Sequence, residues 1–280
     1  MCAFIIKGNI FKNTIKFHNY IILYNIIMKV AVLLTGQLRT FEMLKYLHLN
    51  SLILPYDADV FLGIDLNNKY QCEYKNSIST TTFEETNKAI EFFKPINSFI
   101  FDNTKQINLL FRQYYVIKKT YEMLKIYSDN NNIKYDLIIR LRFDQLIFSK
   151  EAPIPSKIYN NELGTVLYNQ DNIDILKHHS MDKKFIFEEV NDNTIYVFGF
   201  GDFKHYKYAN DQFFYHNHTL LEKMMNFYDN IDYIMKYCNT KNIGNMGCMI
   251  ECIFYLYITH FNNIILKRSN INGIFIRELL

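Results

Sequence analysis

The sequence has no tryptophan, only four prolines and nine glycines, and no marked excess of either charge. So few prolines and glycines exclude a collagen-like chain or a proline-rich linker. With 31 Lys+Arg against 28 Asp+Glu, the net charge is +3, too small a basic surplus for a nucleic-acid-binding protein. The five cysteines, Cys2, Cys72, Cys238, Cys248 and Cys252, are an odd and sparse set in 280 residues. They make no disulfide framework and point to a reducing compartment. Cys248 and Cys252 stand one helical turn apart without a Cys-x-x-Cys partner pair, so they read as buried thiols rather than zinc ligands. No strand is followed by Gly-x-x-x-x-Gly-Lys-Ser/Thr or by Gly-x-Gly-x-x-Gly, which ranks other nucleotide-binding α/β enzymes low. Internal repeats are also missing.

What is present is a folded composition: 49% hydrophobic and 21% charged residues, with length enough for a sizeable core. The 22 Tyr and 24 Phe, beside abundant Asn, Ile and Lys, match an A+T-rich coding bias and are not read as a stacking surface. Residues 1–27 mix Lys7, Lys12 and Lys16 with Ile, Phe and Asn, and end in the apolar stretch Tyr20 to Ile27. Asn19, Asn25 and Lys29 interrupt that stretch well short of the roughly 20 apolar residues of a membrane span, and no small-residue cleavage site follows. The expectation is an N-terminal extension over 1–27, with Met28 as the natural start, and a single domain over 28–280. No transmembrane span is expected, and the chain is expected in the cytoplasm, at most peripheral to a membrane.

Val30-Ala-Val-Leu-Leu34 reads as a parallel strand buried on both faces. A helix follows with Phe41, Leu44, Leu47 and His48 on one face, stopped by Pro55. Asp59 to Ile64 is a second strand, Thr82-Phe-Glu-Glu85 a capping box opening a helix to about Phe93, and Ser98 to Phe101 a third strand. Ile107, Leu110, Tyr114, Ile117, Tyr121 and Leu124 make the apolar stripe of a long helix, broken over Ser128 to Asn132. Tyr135 to Arg142 is a fourth strand. Later come short strands at Thr165–Tyr168 and Thr194–Phe198, a helix through Leu220, Met224, Ile231 and Cys238, another through Ile250 to Phe261, and closing strands at Ile264–Leu266 and Ile274–Ile276. This alternation predicts an α/β fold with a mostly parallel central sheet flanked by helices and an irregular C-terminal half.

Ligands of open parallel sheets bind beyond the carboxyl ends of the strands. There the sequence puts Gly36, Gln37 and Arg39 after the first strand, Asp65 after the second, and Arg140, Arg142 and Asp144 at the fourth. Gly36 allows a tight turn and close approach of a ligand, and Arg39 precedes a helix N-terminus that favours an anion. Asp144 offers the hard oxygen that Mg²⁺ and Mn²⁺ prefer. A cation-binding carboxylate among guanidinium groups suits a diphosphate. The same residues also read as a solvated Arg39 and an Arg140–Asp144 ion pair at a strand end.

The ordered set Thr35-Gly-Gln-Leu-Arg-Thr40, Asp57-Ala-Asp-Val-Phe-Leu62, Tyr135-Asp-Leu-Ile-Ile-Arg-Leu-Arg-Phe-Asp144, Phe198-Gly-Phe-Gly-Asp202, Asn210-Asp-Gln-Phe213 and Glu251 resembles a group of glycosyltransferases of the GT-A fold, from polysaccharide clusters and large DNA viruses. The resemblance covers most of 28–280. It implies a GT-A-like domain that transfers a sugar from a UDP- or GDP-type nucleotide sugar to a glycan or glycoconjugate hydroxyl. It places Gly36, Gln37, Arg39, Asp65, Arg140 and Arg142 around the donor, Asp144 on Mn²⁺ or Mg²⁺, and Asp211 and Glu251 on the acceptor side as candidate catalytic bases. The usual metal motif of that fold is Asp-x-Asp, and here Arg142 replaces its first acid. His216 and His218 are considered as late metal ligands, against ordinary loop histidines. A GT-A-like chain that binds nucleotide or glycan without catalysis is the alternative.

Overall fold

The computed structural model describes residues 28–66, 81–102, 109–149, 174, 177–178, 180–181, 183–203, 206–241 and 250–275. The expected extension over 1–27, the strand at Thr165–Tyr168 and Cys2, Cys72 and Cys248 lie outside the described residues.

The N-terminal half follows the hydrophobic pattern closely. Strand β1 (Val30–Gly36) is buried up to Thr35 and runs into α1 (Phe41–His48), whose Phe41, Leu44, Leu47 and His48 all face inward. A wide turn at Leu49–Ile53 and a tight one at Leu54–Tyr56 holding Pro55 end the helix. Strand β2 (Asp59–Asp65) follows, then α2 (Phe83–Phe93). The Thr82 hydroxyl accepts from the Glu85 amide while the Glu85 carboxylate accepts from the Thr82 amide, the reciprocal cap the sequence announced. Strand β3 (Asn97–Phe101) leads to the long α3 (Leu109–Asn131), which ends at Asn132 in left-handed backbone with φ 53°. Strand β4 (Leu137–Arg142) turns at once into β5 (Gln145–Ser149).

The second half adds β6 (Thr194–Val197), the β7–β8 hairpin (Phe200–Phe203 and Tyr206–Ala209) and β9 (Phe213–His216). The predicted single helix through Leu220 and Cys238 is instead α4 (Leu221–Met225) and α5 (Phe227–Thr240), divided at Asn226. Helix α6 (Ile250–Leu256) ends in a wide turn at Tyr257–Phe261, followed by β10 (Ile265–Arg268) and β11 (Ile271–Phe275).

Seven strands form the central sheet in the order β10-β6-β9-β4-β1-β2-β3. All run the same way except β9, which pairs antiparallel with β4 and β6. The fold is therefore α/β with a mostly parallel sheet, as expected. Alternate residues of the central strands feed two cores: Val30, Val32 and Leu34 pack with α1 and α2, while Ala31 and Leu33 pack towards Tyr114, Ile117 and Tyr121 of α3. Strand β11 does not close the main sheet; it pairs with β5 in a separate ribbon. Gly63 lets α3 lie close on β2, since a Cβ there would fall 2.1 Å from Thr120 Oγ1. Among the described residues no helix is long and apolar enough to cross a membrane.

Candidate functional site

β1 sends its connection to β2 on one side and pairs with β4 on the other, so the chain parts at the carboxyl ends of β1 and β4. Crevices at such a point are where open α/β sheets take ligands. Thr35 lies opposite Arg142, and Gly36 opposite Ile64, which sets Gly36, Asp65 and Arg142 along one edge. β9 enters at the same edge, with Phe213 opposite Leu141, and brings Asp211 just before it. Gly36 has φ 118° with no atom within 4 Å of a would-be Cβ; the backbone, rather than crowding, is what calls for glycine here. Gln37 is buried, and its Oε1 accepts from Arg39 Nε at 2.6 Å.

The edge carries a connected polar network. Arg142 donates from Nε and Nη2 to the two oxygens of Asp144, each at 2.7 Å, and from Nη1 to Gln113 Oε1 at 2.8 Å. Gln113 Nε2 in turn donates to Asp211 Oδ2 at 3.0 Å. Tyr114 donates its hydroxyl to the same oxygen, and Arg140 donates to the Asp211 carbonyl. Arg140 Nε also reaches Thr35 Oγ1 at 2.9 Å. The carboxylate partner of Asp144 is thus Arg142, not Arg140 as the simple strand-end ion pair supposed. At the far side Arg112 Nε meets Asp65 Oδ2 at 3.1 Å.

Burial tunes these groups. Arg140 is fully buried, and burial pushes its guanidinium down to about 10 although Asp211 opposes the shift. Burial works most strongly against the Arg142 charge, but Asp144, Asp211 and Tyr114 together outweigh it and hold Arg142 above its ordinary value. The Tyr114 hydroxyl is raised well above the phenol range by burial and by Asp211. Helix α6 packs on β8, which runs into Asp211, and so carries Glu251 into the field of Asp211. Burial first, and then Asp211, raise the Glu251 carboxyl above the usual range. A carboxylate raised by burial and by a neighbouring carboxylate is suited to act as a base near neutral pH.

Most residues singled out from the sequence thus share this edge: Gly36, Gln37, Arg39, Asp65, Arg140, Arg142, Asp144 and Asp211, with Glu251 beside Asp211. The two histidines do not. His216 lies opposite Ile138, toward the other end of β4, fully buried between Tyr121 and the Asn217 carbonyl. His218 follows it and packs near Tyr135. Neither reaches the carboxyl edge of the sheet.

The donor set does not fit a divalent ion. Both Asp144 oxygens are engaged by Arg142, and the side chain is 1% exposed. The guanidinium that holds them repels a second cation. Among the described residues no three His, Cys, Asp or Glu side chains are grouped to hold a metal.

Sequence reasoning missed Arg112 and Gln113, and took Tyr114 for a core residue only. All three sit in the first turns of α3, where its stripe passes from the core to the sheet edge. A signal existed in the adjacent polar pair Arg112-Gln113 beside that stripe, yet nothing in the spacing says that it meets Asp65 and Asp211.

No family model and no curated protein sequence matches the chain. Among solved structures it is similar to the apo structure of the WbbM bifunctional glycosyltransferase, at 7% identity and a TM-score of 0.32. That likeness covers 75% of this chain and 35% of the other, so the chain spans about a third of that protein's length. At this distance the likeness carries no argument about activity.

Proposed function

We propose that the protein is a nucleotide-sugar-dependent glycosyltransferase, acting on a UDP- or GDP-type donor and a glycan or glycoconjugate hydroxyl. The observation that carries this reading is the joining, through Gln113, of a guanidinium cluster to a carboxylate pair at the carboxyl edge of a parallel sheet. Of the sequence motifs that resemble GT-A glycosyltransferases, the stretches at Gly36–Arg39, Arg142–Asp144 and Asp211 fall on that same edge and support it.

In the proposed reaction the bond from the sugar anomeric carbon to the diphosphate breaks, and the acceptor oxygen forms a new one. Negative charge grows on the departing diphosphate, and guanidinium groups already aligned there stabilise it without reorganising. Arg142 is the member of the cluster with a partly exposed side chain, 15% against full burial for Arg140, and faces the leaving group. Glu251 takes the acceptor proton in an inverting reaction. Asp211, held by Tyr114 and Gln113, keeps the Glu251 proton affinity high and orients the pair. The test is release of UDP or GDP from a panel of sugar donors, by wild type and by Glu251→Gln. Turnover lost in the variant with donor affinity kept supports the reading. Nucleotide binding with no turnover on any donor would favour the binding-protein alternative, to which the clamped Asp144 also lends weight.

A further inference from the structure

We infer that the diphosphate of a nucleotide ligand is held at this edge by guanidinium groups, with Arg142 foremost, and that its binding requires no divalent cation. The inference rests on the reading of the edge as a nucleotide-sugar site. Three observations point to it. First, the one carboxylate suited by position to a metal, Asp144, is closed off by a two-pronged hydrogen bond from Arg142, with both prongs at 2.7 Å. Second, among the described residues each buried aspartate at this edge meets an arginine, by its carboxylate or its backbone: Asp65 meets Arg112 at 3.1 Å, Asp144 meets Arg142, and the Asp211 backbone carbonyl accepts from Arg140. These guanidinium groups cancel the carboxylate charge that would draw a cation, and they offer the planar forks that phosphate oxygens match. Third, Arg140 Nη2 is buried without a hydrogen-bond partner, which leaves uncompensated donor capacity two residues from Arg142 on the same face of β4.

The planar fork that now grips the Asp144 carboxylate has the geometry that phosphate oxygens also match. Asp144 is therefore a competitor of the diphosphate for Arg142, rather than its bridge through a metal. This reverses the sign of the effect expected from removing the Asp144 charge. A metal ligand changed to its amide weakens nucleotide binding; a competing carboxylate changed to its amide strengthens it.

The experiment is titration calorimetry of the full chain with UDP and with GDP, in EDTA and again in excess Mn²⁺, for wild type and Asp144→Asn. The wild-type Kd is expected to agree within about twofold between the two conditions, and Asp144→Asn to bind roughly threefold to tenfold more tightly in EDTA. Mn²⁺ titrated alone against the protein is expected to keep the electron paramagnetic resonance spectrum of the aqueous ion. Binding that appears only with Mn²⁺, or a protein-bound Mn²⁺ spectrum, overturns the inference and leaves the glycosyltransferase reading standing. Failure of both nucleotides to bind under every condition overturns that reading and the inference together. The wild-type comparison needs no variant, so it decides the matter even if Asp144→Asn folds poorly.

Discussion

Replacing Arg142 by methionine isolates what the Arg142–Asp144 pair contributes to the fold. Methionine keeps most of the length and apolar stem but removes the fork. Asp144, 1% exposed in its side chain, would then lose the two-pronged guanidinium bond that balances its charge. Breaking a buried ion pair from one side costs about 3–5 kcal/mol, because the remaining charge is left uncompensated. Against a total stability of roughly 5–15 kcal/mol, that is a large share. In a chain of this size it corresponds to a fall in melting temperature of roughly 6–15 °C. Asp144→Asn alone should cost less, because Arg142 retains a route to solvent and its bond to Gln113. Arg142→Met combined with Asp144→Asn should recover most of the loss, with a coupling of about 2–3 kcal/mol. The assay is urea unfolding of the four proteins, wild type and the three variants, followed by both fluorescence and circular dichroism. Single costs that simply add, or an Arg142→Met loss below about 1 kcal/mol, would refute the claim that Arg142 is the balancing charge of Asp144.

Glu251 is held above the ordinary carboxyl value by burial and by Asp211, so its contribution to stability is present at acid pH and lost as pH rises through the raised value. Glu251→Gln is therefore expected to melt higher than wild type at pH 7 while losing donor turnover; a lower melting temperature would count against the strained-carboxylate assignment. His48 and His216 are wholly buried and pushed down by burial to about 4 from an ordinary 6.5. The unfolded chain takes up protons before the folded one, so stability falls as pH drops from about 6.5 towards 4, by up to roughly 3 kcal/mol per histidine. His48→Gln and His216→Gln should each flatten that slope in urea titrations at pH 7 and 4.5, and an unaltered slope would show the shift to be illusory. At Gly63 a Cβ would come within 2.1 Å of Thr120 Oγ1 and 2.9 Å of Val116 Cγ1, so Gly63→Ala should cost about 1–3 kcal/mol. Adding Thr120→Ala should return part of that loss in thermal melts; no recovery would place the strain elsewhere.

The parts of this molecule that the sequence announces are those governed by short-range rules. β1, α1, β2, α2 and β3 could be read because burial on both faces, helical spacing and a reciprocal cap are each complete within a dozen residues. The later elements escape for physical reasons that can be named. The turn at Phe143-Asp144 makes β5 look like a continuation of β4, and among the described residues β5 finds its partner in β11, on the far side of the sequence. β9 is short and fully buried, so nothing in its residues declares that it runs against its neighbours. The helix around Asn226 divides although its apolar stripe continues across the break, since Phe227 and Met224 are both buried either side of it.

The site shows the same division one level up. Residues at strand ends could be listed from the sequence, because a parallel sheet presents its carboxyl edge to ligands whatever its side chains. Which of them act on one another could not, because that depends on where α3 starts. Arg112, Gln113 and Tyr114 occupy consecutive positions, and on a helix consecutive positions point about 100° apart. Only a helix laid across three strand ends can aim all three usefully. Arg112 goes to Asp65 at β2, Gln113 to both Arg142 and Asp211, and Tyr114 to Asp211 alone. The close seat of α3 on Gly63 fixes that crossing. A glycine in mid-strand, unremarkable in the sequence, is thereby tied to the polar network at the strand ends, and Arg142 acquires a meaning that spacing could not supply. It is the hub through which Asp144 and Asp211 are held in one arrangement.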